Sequence, residues 1–486
     1  MDELLDSQDY TGPGEVRVTG IARDSREVNA GDAFVAIPGY QMDGHDYIPD
    51  AIREGAAAIV YEKPMDTGTV PGYHVKSSRR ALSRMAAAWY DFPGNEMSIT
   101  GITGTNGKTS IVYLLNSIYR EARLTGGAIG TLGFMIGDDT FATDLTTPDA
   151  LELHSILRRM SDRNVRMVAM EVSSHALALD RIRDIPVRIG VFTNLGRDHL
   201  DFHTTREAYR DAKGRLFRTL PDDGTAILNL DSPDYEWYAS VTNGQIFTYS
   251  LENTVADFYW RSYTIDFQGG TGFLKTPEGE LALHTSLLGR FNLMNVTAAS
   301  AAAFAQGLAF PAIVNGIESC SSIPGRLERV SFDTDVPAIF VDYAHTPDAL
   351  ESALTELRTL HQQSDQAGRL WVVFGCGGDR EREKRPEMGA VASSLADETV
   401  VTSDNPRSES PEQIIEEIVG GMAAPPGHIE PNRREAIKYV LSHADTEDVI
   451  LIAGKGHEGY QEIQGKYYPM DDRELIRKYL DNKHSS

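Results

Sequence analysis

"SITGITGTNGKTSIVYLLNSIYRE", residues 98–121, decides the fold. An apolar run rich in β-branched residues ends in a glycine turn, and a helical pattern follows with Ile111, Leu114, Leu115 and Ile118 on one stripe. Strand, glycine loop and helix in that order form a phosphate cradle, because loop N–H groups and the helix N-terminus supply fixed positive potential. Within Gly104, Thr105, Asn106, Gly107, Lys108, Thr109 and Ser110, Lys108 brings a mobile charge to the β- and γ-phosphates and Thr109 a hydroxyl for Mg²⁺. The stretch departs from the strict G-x-x-x-x-G-K-[ST] pattern: Ile102 stands where its first glycine would, and Gly104 is left to relieve the turn.

The same grammar recurs along the chain. "VRMVAM" runs into Glu171 and His175, "RIGVFTN" into Arg197, Asp198 and His199, "PAIFV" into Asp342 and His345. "LWVVFG" runs into Gly377 to Arg380, "ETVVTS" into Asp404 to Arg407, and "DVILIA" into Gly454 to Glu458. With the phosphate loop, seven strands end in polar or glycine clusters. Open α/β sheets bind ligands outside the carboxyl ends of their strands, so two neighbouring sheets facing one cleft are expected. The fold class is α/β in three domains, with a central, mainly parallel sheet of P-loop type and a Rossmann-like C-terminal α/β domain. "DFPGNEM" and "SSIPGRLE" place the cuts, giving residues 1–95, 96–325 and 326–486.

Composition sets the outer limits. The 486 residues carry 46 Lys and Arg against 71 Asp and Glu, a net charge of −25, which argues against nucleic acid or an anionic membrane as partner. Two cysteines in unrelated contexts, Cys320 and Cys376, suit a reducing compartment. "MDELLDSQDY" lacks an apolar core, and "VTAASAAAFAQGLAF" (296–310) is too short and too interrupted to span a bilayer. No signal peptide, a packed helix at 296–310, a cytoplasmic location and a monomer are the expectations.

Several residues have two readings. Glu171 is either a Mg²⁺ ligand beside the phosphate loop or a strand-end cap. Asp198, His199, Asp201 and His203 in "TNLGRDHLDFH" could serve a transition metal, although the upstream loop favours a Mg-nucleotide role. Lys213 in "YRDAKGRLF" reads as a helix-surface lysine. Thr147 before Pro148 reads as a helix N-cap, and Asn292 and Asn295 also suit helix capping. In "VTSDNPRSESPEQI" (401–414), Asn405 and Pro406 force a turn, Ser410 caps a helix that begins at Pro411, and Gln413 is placed to complete a capping box. Arg407 would then be a solvated turn residue unless a ligand needs it.

"TGTNGKT", "MEVSSHAL", "FTNLGRDHLDFH", "LLGRFNLMN", "PGRLE", "VDYAHTPDAL" and "AGKGHE" together resemble the Mur ligases, over about residues 20 to 475. These are ATP-dependent enzymes that add amino acids to the peptidoglycan precursor. "DSREVNAGDAFVAIPGYQMDGHDYIPDAI" and "GCGGDREREKRPEMG" look most like the branch that joins a third residue to UDP-N-acetylmuramoyl-L-alanyl-D-glutamate. The resemblance implies that ATP phosphorylates the D-Glu side-chain carboxylate and that an amine displaces phosphate from the acyl phosphate. It implies Mg²⁺ on Thr109 and Glu171, a second Mg²⁺ near Glu171 and His199, and a carbamylated Lys213 (N6-carboxylysine). Lys108, Glu171, His199 and Lys213 would be the catalytic set. Asn292, Asn295, Arg326, Asp342 and His345 would join the phosphate loop on ATP. Ser25, Arg26, Asp43, Gly44, His45, Thr146, Thr147, Ser173, Ser174, Arg181 and Lys213 would meet the UDP-muramoyl dipeptide.

The third residue is diaminopimelate or lysine, which differ by one carboxylate. D-N-P-R at Asp404, Asn405, Pro406 and Arg407 resembles the signature of the diaminopimelate-adding group, and Arg380, Gly454 and Glu458 match its other contacts. A planar guanidinium binds a carboxylate bidentately, and a buried arginine left unpaired costs about 3–5 kcal/mol, roughly a hundred- to several-thousand-fold. The competing readings are a lysine-adding or relaxed ligase, a folylpolyglutamate synthetase-like ligase, and a nucleotide-regulated binding protein without turnover.

Overall fold

A computed structural model describes residues 1, 3–5, 10–13, 15–39, 42–330, 336–364 and 367–484. Its strands form three large sheets and one two-stranded hairpin. The first sheet runs Tyr10–Thr11, Gly72–Val75, Ala58–Tyr61, Ala33–Val35, Ile21–Ala22 in spatial order. The middle sheet has eleven strands. Its parallel centre runs Phe258–Asp266, Gln245–Ser250, Thr225–Asn229, Val187–Phe192, Ser98–Thr103, Met167–Glu171, Gly126–Gly130, and antiparallel strands extend both edges. The third sheet runs Glu328–Arg329, Ala338–Asp342, Val449–Ala453, Leu370–Phe374, Glu398–Val401, His428–Ile429, parallel except for its first pair. Two mainly parallel sheets therefore carry the seven strand ends.

The helix Lys108–Glu121 buries Ile111, Leu114, Leu115 and Ile118 completely, as the stripe predicts. A second helix, Phe310–Ser319, crosses it closely at Gly316, where an added Cβ would stand 2.4 Å from the Ile118 Cα. Of the small-residue stretch 296–310, only the part to Ala305 lies in the helix Arg290–Ala305, buried on nearly all faces because Ala, Ser and Thr let neighbours approach from every side; Gln306 caps it and Phe310 opens the next helix. Cys320 and Cys376 are free and buried. Among the described residues no helix is long and apolar enough to cross a membrane.

Two capping expectations change. The helix after Thr147 is Ala150–Asp162 and its cap is Asp149, whose carboxylate accepts from the N–H groups of Leu151 and Glu152 at 2.9 and 3.2 Å. Thr147 instead donates its hydroxyl to the Glu171 carbonyl at 2.8 Å, because its side chain faces the neighbouring strand end. At the other turn, Ser410 does cap Pro411–Val419, accepting from Gln413 N at 3.4 Å, but its hydroxyl proton goes to Glu412 at 2.7 Å.

Several buried histidines make stability pH-dependent, and His154 is the most completely enclosed of those without a partner. His154 is 1% exposed, neither ring nitrogen has a partner, and burial holds its pKa at about 4 against an ordinary 6.5. The unfolded chain takes this proton near pH 6.5 and the native one near 4, so the stabilisation is complete above 6.5 and is lost as pH falls through that window. Denaturant unfolding should show the His154 share as a pH 7 to pH 5 loss about 2 kcal/mol smaller in a His154→Gln variant than in wild type.

Candidate active site

The phosphate loop is held open by two glycines with positive φ, Gly104 at 147° and Gly107 at 88°. An added Cβ at Gly104 would stand 1.8 Å from Thr193 Oγ1, and Thr193 in turn donates to the Asn106 carbonyl at 2.7 Å. Gly104→Ala should therefore displace the 193–194 brace and cost about 1–3 kcal/mol of stability, with weakened ADP binding in titration calorimetry. Lys108 Nζ folds back on the carbonyls of Gly104 and Thr105 at 3.0 and 2.8 Å. Thr109 donates its hydroxyl to Glu171 Oε1 at 2.9 Å, and Arg326 Nη2 reaches the same hydroxyl at 3.1 Å. Thr131 adds its N–H to Glu171 at 2.9 Å. Glu171 is thus buried at the loop, not a surface cap.

Lys213 is not a surface lysine. It is 1% exposed, and its Nζ donates to the Gly104 carbonyl at 2.8 Å. Burial pushes its pKa well down, and the neighbouring ammonium of Lys108 pushes further. The helix Arg206–Arg218 buries Tyr209, Ala212, Lys213, Leu216 and Phe217, so Lys213 lies on the apolar stripe, a signal present in the sequence.

Thr109, Gly107, Ser110, Asn295, Arg326 and Asp342 line a cavity of about 220 Å³, with Tyr249 and Phe291 as its apolar walls. Asn292 does not reach it. Fully buried, it donates to the Leu288 carbonyl at 2.8 Å and accepts from Asn295 Nδ2 at 3.0 Å, which orients Asn295 against the phosphate loop. Neither asparagine caps the helix, whose N-cap is Gly289. Asp342 accepts from Leu327 N at 2.6 Å, and burial raises its pKa.

A larger cleft of about 580 Å³ lies between the middle and third sheets. Six strand ends meet there: Ser173 and His175; Arg197, Asp198 and His199; Tyr343 and His345; Gly377 and Arg380; Asp404, Asn405 and Arg407; Gly454 and Glu458. His345, expected on the nucleotide side, belongs to this cleft, because its Nδ1 turns back to the Tyr343 carbonyl at 2.8 Å. His199 sits 3.4 Å from Asp198 and edge-on to His175, whose burial holds it neutral with a pKa of about 4. Among the described residues no three His, Cys, Asp or Glu side chains are placed to hold a metal, so the transition-metal reading of 198–203 finds no support. Thr146, Thr147 and Arg181 line the cleft's far side, where Arg181 Nη1 donates to the Thr147 carbonyl at 2.8 Å.

Arg181 and Leu145 are shared with a third cavity, about 590 Å³, lined by Ser25, Arg26, Gly44 and Arg79 on the helices beside the N-terminal sheet. Asp43 and His45 stand behind its wall. His45 is 2% exposed, with Nδ1 on Asp43 at 2.6 Å and Nε2 accepting the N–H groups of Glu62 and Lys63, so both residues shape the loop rather than face a ligand. Ser174, 1% exposed, likewise lies behind Ser173.

Arg407 is neither solvated nor free. It has φ 49° and donates through Nε to Glu462 at 3.1 Å and through Nη1 to the Gly378 carbonyl at 2.8 Å. Pro406 contributes the turn and no cleft wall. Asn405 donates to Glu458 at 2.8 Å, and the buried Lys455 donates to both Asn405 and Glu458, at 3.1 and 2.9 Å. Because Glu462 already neutralises Arg407, an absent ligand carboxylate does not leave a bare buried cation. The discrimination expected from Arg407 falls to that of a charged hydrogen bond, about 1.5–3 kcal/mol or roughly 10- to 100-fold. Lys455 and Glu462 were not singled out from the sequence. Lys455 stands three residues before Glu458, whereas nothing local marks Glu462.

Three loop-bearing sheets, a phosphate loop and an inter-sheet cleft define a nucleotide-handling α/β enzyme. Models of the Mur ligase family match all three parts: the catalytic domain over residues 17–90, the middle domain over 102–303 and the glutamate ligase domain over 325–456. The chain belongs to the Mur ligase family.

Within it, the chain is 43% identical over 469 residues to the UDP-N-acetylmuramoyl-L-alanyl-D-glutamate–2,6-diaminopimelate ligase of Bacillus velezensis, covering 95% of this chain and 94% of that one. It is 42% identical to the ligase of the same name from Bacillus licheniformis, covering 97% and 96%. A solved structure of a ligase of that name superposes with a TM-score of 0.68 at 35% identity, covering 96% and 95%. The Escherichia coli FolC structure with ADP shares the fold, with a TM-score of 0.63 at 20% identity and coverage of 83% and 94%.

Proposed function

We propose that the chain is an ATP-dependent ligase that joins meso-diaminopimelate to the D-Glu carboxylate of UDP-N-acetylmuramoyl-L-alanyl-D-glutamate. The observation that carries this reading is the meeting of six strand ends in one cleft beside a phosphate loop, with Arg407 in its wall. Residues 1–95 hold the UDP end, 96–325 the nucleotide and 326–486 the amino acid. The relatives named above suggest the substrates, and the geometry supports a task for each group.

Lys108, released from its own loop carbonyls, neutralises the β- and γ-phosphates of ATP, Arg326 and Asn295 stand beside the phosphate loop, and Asp342 lines the same nucleotide cavity. Mg²⁺ fits the donor set: Thr109 Oγ1 and Glu171 Oε1 are 2.9 Å apart, which is about the edge of an octahedron with bonds of roughly 2.1 Å. Thr109 and Glu171 would hold one cation and Glu171 with His199 a second, and the pair would spread the charge of the transferring phosphoryl group. The buried, neutral-leaning amine of Lys213 adds to CO₂ and loses a proton, leaving a carbamate where two ammonium groups would otherwise repel. The γ-phosphoryl passes to the D-Glu carboxylate, the amine of diaminopimelate attacks the acyl carbon, and phosphate leaves. Ser173, Thr146, Thr147 and Arg181 flank the passage between the two larger cavities, through which a nucleotide-sugar peptide runs.

The protein is proposed to work as a monomer in the cytoplasm, on small-molecule substrates. ADP release should require the UDP-muramoyl dipeptide and the amine together. Nucleotide binding with no ADP formed even when both are present would instead favour a nucleotide-regulated binding protein without turnover.

A further inference from the structure

The two-stranded hairpin Tyr460–Ile463 with Lys466–Pro469 is joined to none of the three large sheets, yet it grips the 404–408 turn along its length. Arg407 N donates to the Glu462 carbonyl at 3.1 Å and Gln464 N to the Arg407 carbonyl at 2.7 Å, a short parallel bridge to Ile463. Gln461 Nε2 donates to the Asp404 carbonyl at 2.6 Å, Gln464 Nε2 to the Ser408 carbonyl at 3.2 Å, and Glu462 N to Asn405 Oδ1 at 3.0 Å. The backbone of Arg407 is left-handed, φ 49°, in a residue with a full side chain; such a conformation persists only where its surroundings over-determine it. The hairpin supplies those surroundings.

It also aims the guanidinium. Glu462 takes the Nε edge at 3.1 Å while the Gly378 carbonyl takes Nη1 at 2.8 Å, both from the protein side. Arg407 and Glu462 are about equally covered, at 19% and 20% side-chain exposure, so the pair sits at the cleft wall rather than in bulk water. An arginine has about 2 kcal/mol of rotamer entropy to lose on being fixed, and an ion-paired Nε removes most of that loss before a ligand arrives.

We propose that Glu462 is a positioning residue for amino-acid specificity: it orients Arg407 toward the distal carboxylate of the incoming diamino acid, and the hairpin is the element that delivers it. The inference rests on the diaminopimelate reading above. Because Glu462 acts through the hydrogen bond to Nε, a neutral acceptor preserves the effect and deletion abolishes it. A negative charge alone at that place would do the reverse, repelling the carboxylate.

The test is steady-state phosphate release by the full chain with ATP and the UDP-muramoyl dipeptide, comparing wild type, Glu462→Ala and Glu462→Gln, each with meso-diaminopimelate and with L-lysine. Glu462→Ala should raise the KM for diaminopimelate about 10-fold, with kcat and the KM for ATP within about 2-fold of wild type and the KM for lysine unmoved. Glu462→Gln should restore the diaminopimelate KM. An unchanged or lowered KM in Glu462→Ala overturns the proposal, as does a Glu462→Gln variant as impaired as the deletion. A variant that loses kcat with both amines has lost its fold rather than its aim; it too counts against a positioning role unless Glu462→Gln recovers the diaminopimelate KM alone. Wild type that uses both amines equally overturns the diaminopimelate reading itself and the inference with it, so the two failures are separate results.

Discussion

Lys213→Ala should lower kcat by about 10²- to 10³-fold, the usual cost of removing one preorganised group from a charge-handling site. The lysine is buried, bonded to the Gly104 carbonyl at 2.8 Å and close enough to Lys108 for each charge to oppose the other. Two ammonium groups at one phosphate loop are unfavourable in a site that also collects a cation, and a carbamate reverses the sign of one of them. The variant tells the two forms apart by rescue. If the working group is the carbamate, added short-chain carboxylate should restore part of kcat and propylamine should not. Rescue by the amine alone would show that Lys213 works as an ammonium. Thermal unfolding of the variant, unchanged to within a few degrees, separates this loss from a collapse of the helix stripe around Tyr209 and Leu216.

Arg407→Ala should raise the KM for meso-diaminopimelate about 10- to 100-fold while leaving the KM for ATP unchanged. The direction follows from the cleft geometry, and the size from Glu462. With Glu462 holding its Nε at 3.1 Å, the arginine is already paired and aimed, so the variant loses one charge-assisted hydrogen bond to the ligand rather than the cost of a bare buried ion. A fall in kcat at saturating diaminopimelate, with KM unmoved, would place Arg407 in the chemistry rather than in recognition.

Periodicity and strand ends made much of this legible. The stripe Ile111, Leu114, Leu115, Ile118 predicts the helix that buries it, and the polar clusters after apolar runs predict the cleft that six of them line. The same periodicity, applied to Tyr209, Ala212, Lys213, Leu216 and Phe217, would have buried Lys213, yet a lone lysine between Asp211 and Arg215 reads as surface until its neighbours on the stripe are counted. Other features are set by contacts between distant residues. Arg407 meets Glu462 across 55 positions, and no local pattern marks either as the other's partner. Asp43 and His45 carry chemistry-bearing side chains but spend them on each other and on the 62–63 backbone, which spacing does not reveal. Thr147 looks like a cap because Pro follows it; the cap is Asp149, and Thr147 is drawn across to the Glu171 strand end.

The third-sheet end of the cleft, in the proposed function, reads a distal carboxylate. The most direct test is the ratio of kcat/KM for meso-diaminopimelate and L-lysine, by phosphate release with ATP and the UDP-muramoyl dipeptide at fixed concentration. A preference for diaminopimelate of about 10-fold or more is predicted, and equal efficiency with lysine would contradict it.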